Sequence, residues 1–119
     1  DHPVLPINNY AWSKLGGECA VQMLKNSLIL RICMTEKPFL HQYAYTNLKT
    51  NFMFHEELAK IFFKLLNKKG IINIGGPVQS VYNFAKNNNK KIKKKVLKIS
   101  KNSLPLNSTM NIRKLKKIV

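Results

Sequence analysis

At 119 residues, 45% of them hydrophobic, the chain is long enough for one domain or part of one, and no apolar run approaches the roughly 20 residues of a membrane-spanning helix. The opening residues lack the basic patch and apolar core of a secretory signal, so no membrane partner is expected. The balance of 21 Lys and Arg against five Asp and Glu, a net charge of +16, points towards nucleic acid or another anionic surface.

Residues 1–9 carry Pro3 and Pro6 and read as extended chain. Residues 10–26 read as a helix, because Trp12, Leu15, Cys19 and Met23 recur at helical spacing, as do Gly16, Ala20 and Leu24. Gly16 and Gly17 weaken a helix interior, so a close approach to a neighbouring element is expected there. The run SLILRIC, 27–33, reads as a short buried strand. Residues 34–51 show no period and contain Pro38, which predicts a long loop of the kind that often carries function. The most regular helical pattern lies over 52–69, with Phe54, Leu58, Ile61, Phe62, Leu65 and Leu66 on one stripe. Gly70 closes it, IINI reads as a strand, and Gly75-Gly76-Pro77 ends that strand. A third helix is expected over 78–88, capped near Ser80. The run NNNKKIKKK, 87–95, reads as a solvated turn, 96–100 as a short strand, and 111–119 as a last helix capped by Asn111. Helices alternating with short buried strands predict an α/β architecture with mostly parallel pairing and no internal repeat.

Cys19 and Cys33 sit in apolar stretches and read as buried free thiols, which places the protein in a reducing compartment, the cytoplasm. His2, His41 and His55 are too far apart in sequence to suggest a metal site, and no metal is expected. The charge itself has two explanations of equal weight. Arg occurs only at positions 31 and 113, while Lys, Asn and Ile abound, as AT-rich codons would dictate; the alternative is a functional basic surface in a chain with no acid after Glu57.

Tyr10 stands four residues before Lys14, one helical turn away. The spacing alone is uninformative in so lysine-rich a chain, since Tyr45/Lys49 and Tyr82/Lys86 share it. Context separates them. The second pair falls in the expected loop, the third on a helix whose Phe84 and Ala85 read as packing residues, and both are taken as incidental. Tyr10/Lys14 lies within PINNYAWSKLGGE, followed about ten residues on by a strand.

That stretch, P-x-N-x-Y-x-x-S-K-L-x-G-E, resembles the active-site helix of the extended short-chain dehydrogenase/reductases, with most likeness to the dTDP-4-dehydrorhamnose reductase group of nucleotide-sugar enzymes. LILRI, TNFMFHEELAKIFFKLL, GIINIGGPVQSVYNFAK and PLNSTMNIRKLKKI resemble successive segments of the same family, so the likeness runs along nearly the whole chain. The resemblance implies a partial Rossmann-like fold in which 1–119 is a C-terminal fragment, the catalytic helix plus a substrate-binding part, without the N-terminal dinucleotide-binding part. It implies that Tyr10 exchanges a proton with the substrate oxygen and that Lys14 holds the nicotinamide ribose, both residues contacting NAD(P). The chemistry suits these types: a phenol ordinarily keeps its proton to about pH 10, and an ammonium one turn away favours the phenolate. The glycine-rich turn under the pyrophosphate has no counterpart, and NIGGP lacks its spacing. The loop after Arg31, CMTEKPF, also departs from the family pattern. Glu18 is placed to pair with Lys14, as an ordinary helix salt bridge would be.

Alone, such a fragment is expected to be catalytically silent, to bind no cofactor tightly, and to self-associate or be completed by a chain supplying the other half; its nucleotide-sugar substrate belongs to the full-length enzyme. A competing expectation is a small basic α/β module binding nucleic acid. No reader motif supports it, and aromatics are not interleaved with the basic run. A third is a non-catalytic relative kept for assembly with a partner chain.

Overall fold

A computed structural model describes residues 6, 8–98 and 106–119. The expected extended segment at 1–9 therefore falls mostly outside the described residues, as does the end of the strand expected over 96–100; residues 96–98 carry no strand.

The chain begins with helix α1, Asn9–Gln22, which feeds strand β1, Leu28–Ile32. Strand β1 pairs in parallel with β6, Gly70–Ile74, Leu28 opposite Gly70 and Ile32 opposite Ile74. Helix α2, His55–Leu65, provides the crossover between them, as a parallel pair requires. Leu58 and Leu65 of α2, Ile72 and Ile74 of β6 and Leu115 of the last helix, α4 (Arg113–Ile118), form the first core with Met53; Leu28 and Leu30 pack on it from β1. Because strand side chains alternate, Ile29 and Arg31 face the other way, towards α1.

A second core is built on helix α3, Val81–Asn88, whose Ser80 cap accepts the Asn83 amide at 3.1 Å. Val81 and Ala85 pack with Ala44, Leu48 and Ile92. Phe84 of α3, itself buried, sets its ring 4.9 Å from Phe54 and 5.7 Å from Phe52.

Several expectations are corrected. The stretch 34–51 is not one loop. It contains β2 (Met34–Thr35), β3 (Tyr43–Tyr45) and β4 (Lys49–Thr50), which pair with β5 (Met53–Phe54), β8 (Lys93–Lys95) and β7 (Gln79–Ser80). Strands of two or three residues leave no period to detect. Their partners stand up to fifty residues away, so only the tertiary fold declares them. The lysines of the supposed solvated turn thus include a strand, β8, parallel to β3. The middle helix starts at His55 because Met53–Phe54 is drawn into β5, and α3 starts at Val81 because Gln79–Ser80 pairs with β4. Among the described residues, the parallel prediction stands in three of the four strand pairs.

The first helix departs most from expectation. No residue of α1 is buried, and nothing lies within 4 Å of where a Cβ would stand on Gly16 or Gly17, so the expected close approach is not made among the described residues. Cys19 is exposed rather than buried, and Cys33 is half-buried with its Sγ 3.1 Å from the Thr50 hydroxyl. The helical period on α1 is real, but its apolar side meets little of the described chain: Trp12 is 60% exposed.

Candidate active-site helix

Asn8 caps α1, its Oδ1 accepting the Ala11 amide at 2.8 Å. Such a cap is worth about 1 kcal/mol and fixes where the helix starts. Tyr10 therefore sits in the first turn and Lys14 one turn later on the same side. Lys14 Nζ lies over the Tyr10 ring, 5.5 Å from its centroid, with Tyr10 70% exposed. Between them, the Ser13 hydroxyl donates to the Tyr10 carbonyl at 2.7 Å. The two predicted site residues are thus brought together on an open helix face.

Geometry of the pair alone does not distinguish them, since Lys86 lies 5.8 Å over the Tyr82 ring on α3. Tyr45 and Lys49 fall on separate strands, and Tyr45 instead meets Lys95 at 5.8 Å. What sets Tyr10 and Lys14 apart is that their helix leads into β1, one of the two five-residue strands of the longest parallel pair.

Glu18 does not pair with Lys14. Its two carboxylate oxygens accept Nε and Nη2 of Arg31, each at 2.7 Å. The hydrogen bonds from Arg31 hold the Glu18 carboxyl below its ordinary value, and those to Glu18 raise the guanidinium, with desolvation opposing both shifts. Planar guanidinium and planar carboxylate match in this bidentate form. Among the described residues this is the only ion pair, and it fastens α1 to β1. The opposite charges were visible in the sequence; that Arg31 points to the α1 side of the strand was not.

The residues present fit only one end of a dinucleotide. An exposed phenol and ammonium are available to a nicotinamide ribose. The Gly75-Gly76 turn offers no cradle for a pyrophosphate: a Cβ on Gly75 would stand 2.6 Å from the Asn51 carbonyl oxygen, and one on Gly76 2.6 Å from that of Phe52. These glycines let two backbone segments touch. Asn51, wholly buried, completes the contact by donating Nδ2 to the Gly76 carbonyl at 2.8 Å and accepting the Met110 amide at 2.6 Å.

A cavity of about 420 Å³ opens beside the second core, lined by Phe39, His41, Tyr43, Tyr45, Phe52 and Lys95 among others. Its size suits a small molecule, and its walls combine four Phe and Tyr rings with aliphatic and polar side chains. The sequence did not reveal it, because its lining is gathered from β2, β3, β8, α3 and the segments between them. Among the described residues, no group of three His, Cys, Asp or Glu side chains is placed to hold a metal ion, and no helix is long and apolar enough to cross a membrane.

The class these elements define is a Rossmann-like α/β fold, in which helices alternate with mostly parallel strand pairs. Solved structures with the same arrangement are dTDP-4-dehydrorhamnose reductases. The enzyme from Bacillus anthracis str. Ames, determined in complex with NADP, superposes with a TM-score of 0.76 at 19% identity, covering 98% of this chain and 50% of that one. A hypothetical dTDP-4-dehydrorhamnose reductase from Sulfolobus tokodaii gives 0.80 at 23% identity, covering 100% of this chain and 51% of that one. The chain thus has the fold of part of these proteins and spans about half their length. No family model matches it, and no curated protein matches it in sequence.

Proposed function

We propose that this chain is the C-terminal half, catalytic helix plus substrate-binding part, of an NAD(P)-dependent nucleotide-sugar reductase or epimerase. The observation that carries the reading is the placement of Tyr10 and Lys14 on the helix feeding β1, in a fold that superposes on half of two such reductases. When bound, the nicotinamide supplies or accepts a hydride at a sugar carbon. Tyr10 Oη would move the matching proton to or from the sugar oxygen. Lys14 would hold the nicotinamide ribose. The Glu18–Arg31 pair keeps the helix, and with it both groups, seated on the sheet.

The pyrophosphate and adenosine ends have no site among the described residues, so the chain alone binds the cofactor weakly and turns nothing over. The test joins this chain to its complement. The source gene is read upstream of the Asp1 codon for a glycine-rich strand–turn–helix, and the resulting protein is assayed for nucleotide-sugar-dependent oxidation of NAD(P)H. Tyr10→Phe is expected to lower turnover by about 10²–10⁴-fold. Full turnover by that variant refutes the assignment.

A further inference from the structure

The strand pair β3–β8 does what the linear sequence does not: it interleaves tyrosines with the basic run. Its parallel register sets Tyr43 opposite Lys93 and Tyr45 opposite Lys95. The ammonium groups lie over the neighbouring rings, Lys93 5.8 Å from the Tyr43 centroid and Lys95 5.8 Å from that of Tyr45. Residues two apart on a strand share a face, so these four side chains make one alternating patch. Ala44, between the tyrosines, points into the second core and anchors the patch from behind. On the other face of the pair, the side of Ala44, Lys94 lies with Lys86 over the Tyr82 ring at 5.4 and 5.8 Å.

The patch is accessible and uncompensated. All three β8 lysines are exposed, and Tyr43 is 49% exposed. No acid follows Glu57 in the sequence, and the single ion pair among the described residues lies elsewhere, on α1 and β1. Tyr43, Tyr45 and Lys95 also line the cavity, so the charged patch runs into a recess of about 420 Å³.

We propose that this face binds single-stranded nucleic acid, with backbone phosphates on Lys93 and Lys95, bases stacked on Tyr43 and Tyr45, and one base entering the cavity. Alternating cations with one exposed ring, Tyr43, and one half-buried ring, Tyr45, beside a recess suit gripping a single strand without reading its sequence, because every base has a stacking face and every linkage a charge. A duplex keeps its bases stacked on each other and cannot use the rings. The inference does not rest on the reductase reading; it concerns a different element and different residues.

The experiment is a fluorescence-anisotropy titration of the intact chain with a labelled oligothymidylate, repeated from about 50 to 200 mM salt. Binding is expected, with affinity falling as salt rises by a log–log slope of roughly −0.7 for each phosphate neutralised. The variant Lys93→Gln/Lys95→Gln should flatten that slope by about 1.4. Tyr43→Ala, a change at a half-exposed position, should weaken binding by about fivefold or more at unchanged slope. Lys64→Gln/Lys68→Gln on and beyond α2 removes the same charge away from the patch and should leave the tyrosine effect intact. The proposal is overturned if the two lysine pairs act alike, if Tyr43→Ala changes nothing, or if duplex binds as tightly as single strand, each of which marks a generic polycation. It is also overturned if a free nucleoside diphosphate binds this face while the oligonucleotide does not.

Discussion

Gly75→Ala separates a structural glycine turn from a phosphate-binding one. A Cβ there would stand 2.6 Å from the Asn51 carbonyl oxygen, 2.7 Å from Asn51 Cβ and 3.3 Å from Met110 Cε. The methionine end can move; the Asn51 atoms cannot move cheaply. Asn51 accepts the Gly76 amide at 2.8 Å through its own carbonyl, while its side chain holds Gly76 and Met110. Overpacking of a fixed core costs about 1–3 kcal/mol, and two contacts with so firmly held a residue place this change near the upper end, about 3 kcal/mol. A chain of this length has an unfolding entropy of roughly 0.25 kcal/mol/K, so the melting temperature should fall by about 12 °C. Thermal unfolding followed by circular dichroism measures it. Gly76→Ala, facing the Phe52 carbonyl oxygen at 2.6 Å, should behave similarly. If Gly75→Ala melts within about 2 °C of the parent, less than roughly 0.5 kcal/mol, the turn has room for a side chain and the packing account is wrong.

Gly16→Ala and Gly17→Ala should act in the opposite direction, because both lie inside a helix with nothing within 4 Å; each is expected to stabilise α1 by about 0.5–1 kcal/mol, seen as added helical dichroism. Asn51→Ala should destabilise by about 3 kcal/mol in urea unfolding, since it strands the Gly76 carbonyl and the Met110 amide in a buried site. The Glu18–Arg31 pair makes α1 docking depend on acid. Glu18 has a lowered folded value, so its contribution is complete above the ordinary carboxylate range and is lost as pH falls through that lowered value. Trp12, the sole tryptophan, sits on α1 and reports the release by its emission on acidification below about pH 5; Glu18→Gln should show the released signal at neutral pH. With Arg31 partly solvated, that variant should lose only about 1 kcal/mol of stability.

The sequence by itself determined the elements whose information is local. The period over Leu58, Ile61 and Leu65, the Ser80 cap and the apolar run into Arg31 each declare their structure within a dozen residues, because helix and buried-strand burial repeats along the chain. That Lys14 lies beside Tyr10 follows from one helical turn, but Lys86 lies over Tyr82 in the same way, so only the surrounding residues PINNYAWSKLGGE singled the first pair out. Only the tertiary structure decided what depends on distant partners. It drew Lys93–Lys95 against Tyr43–Tyr45, split the supposed loop into two- and three-residue strands, and turned Glu18 from Lys14 to Arg31. It also left α1 with no buried residue despite its apolar period. A short strand carries too few side chains to show a period, and a salt bridge goes to whichever opposite charge the fold presents in matching geometry. Those choices are made by packing across the molecule, where sequence separation has no bearing.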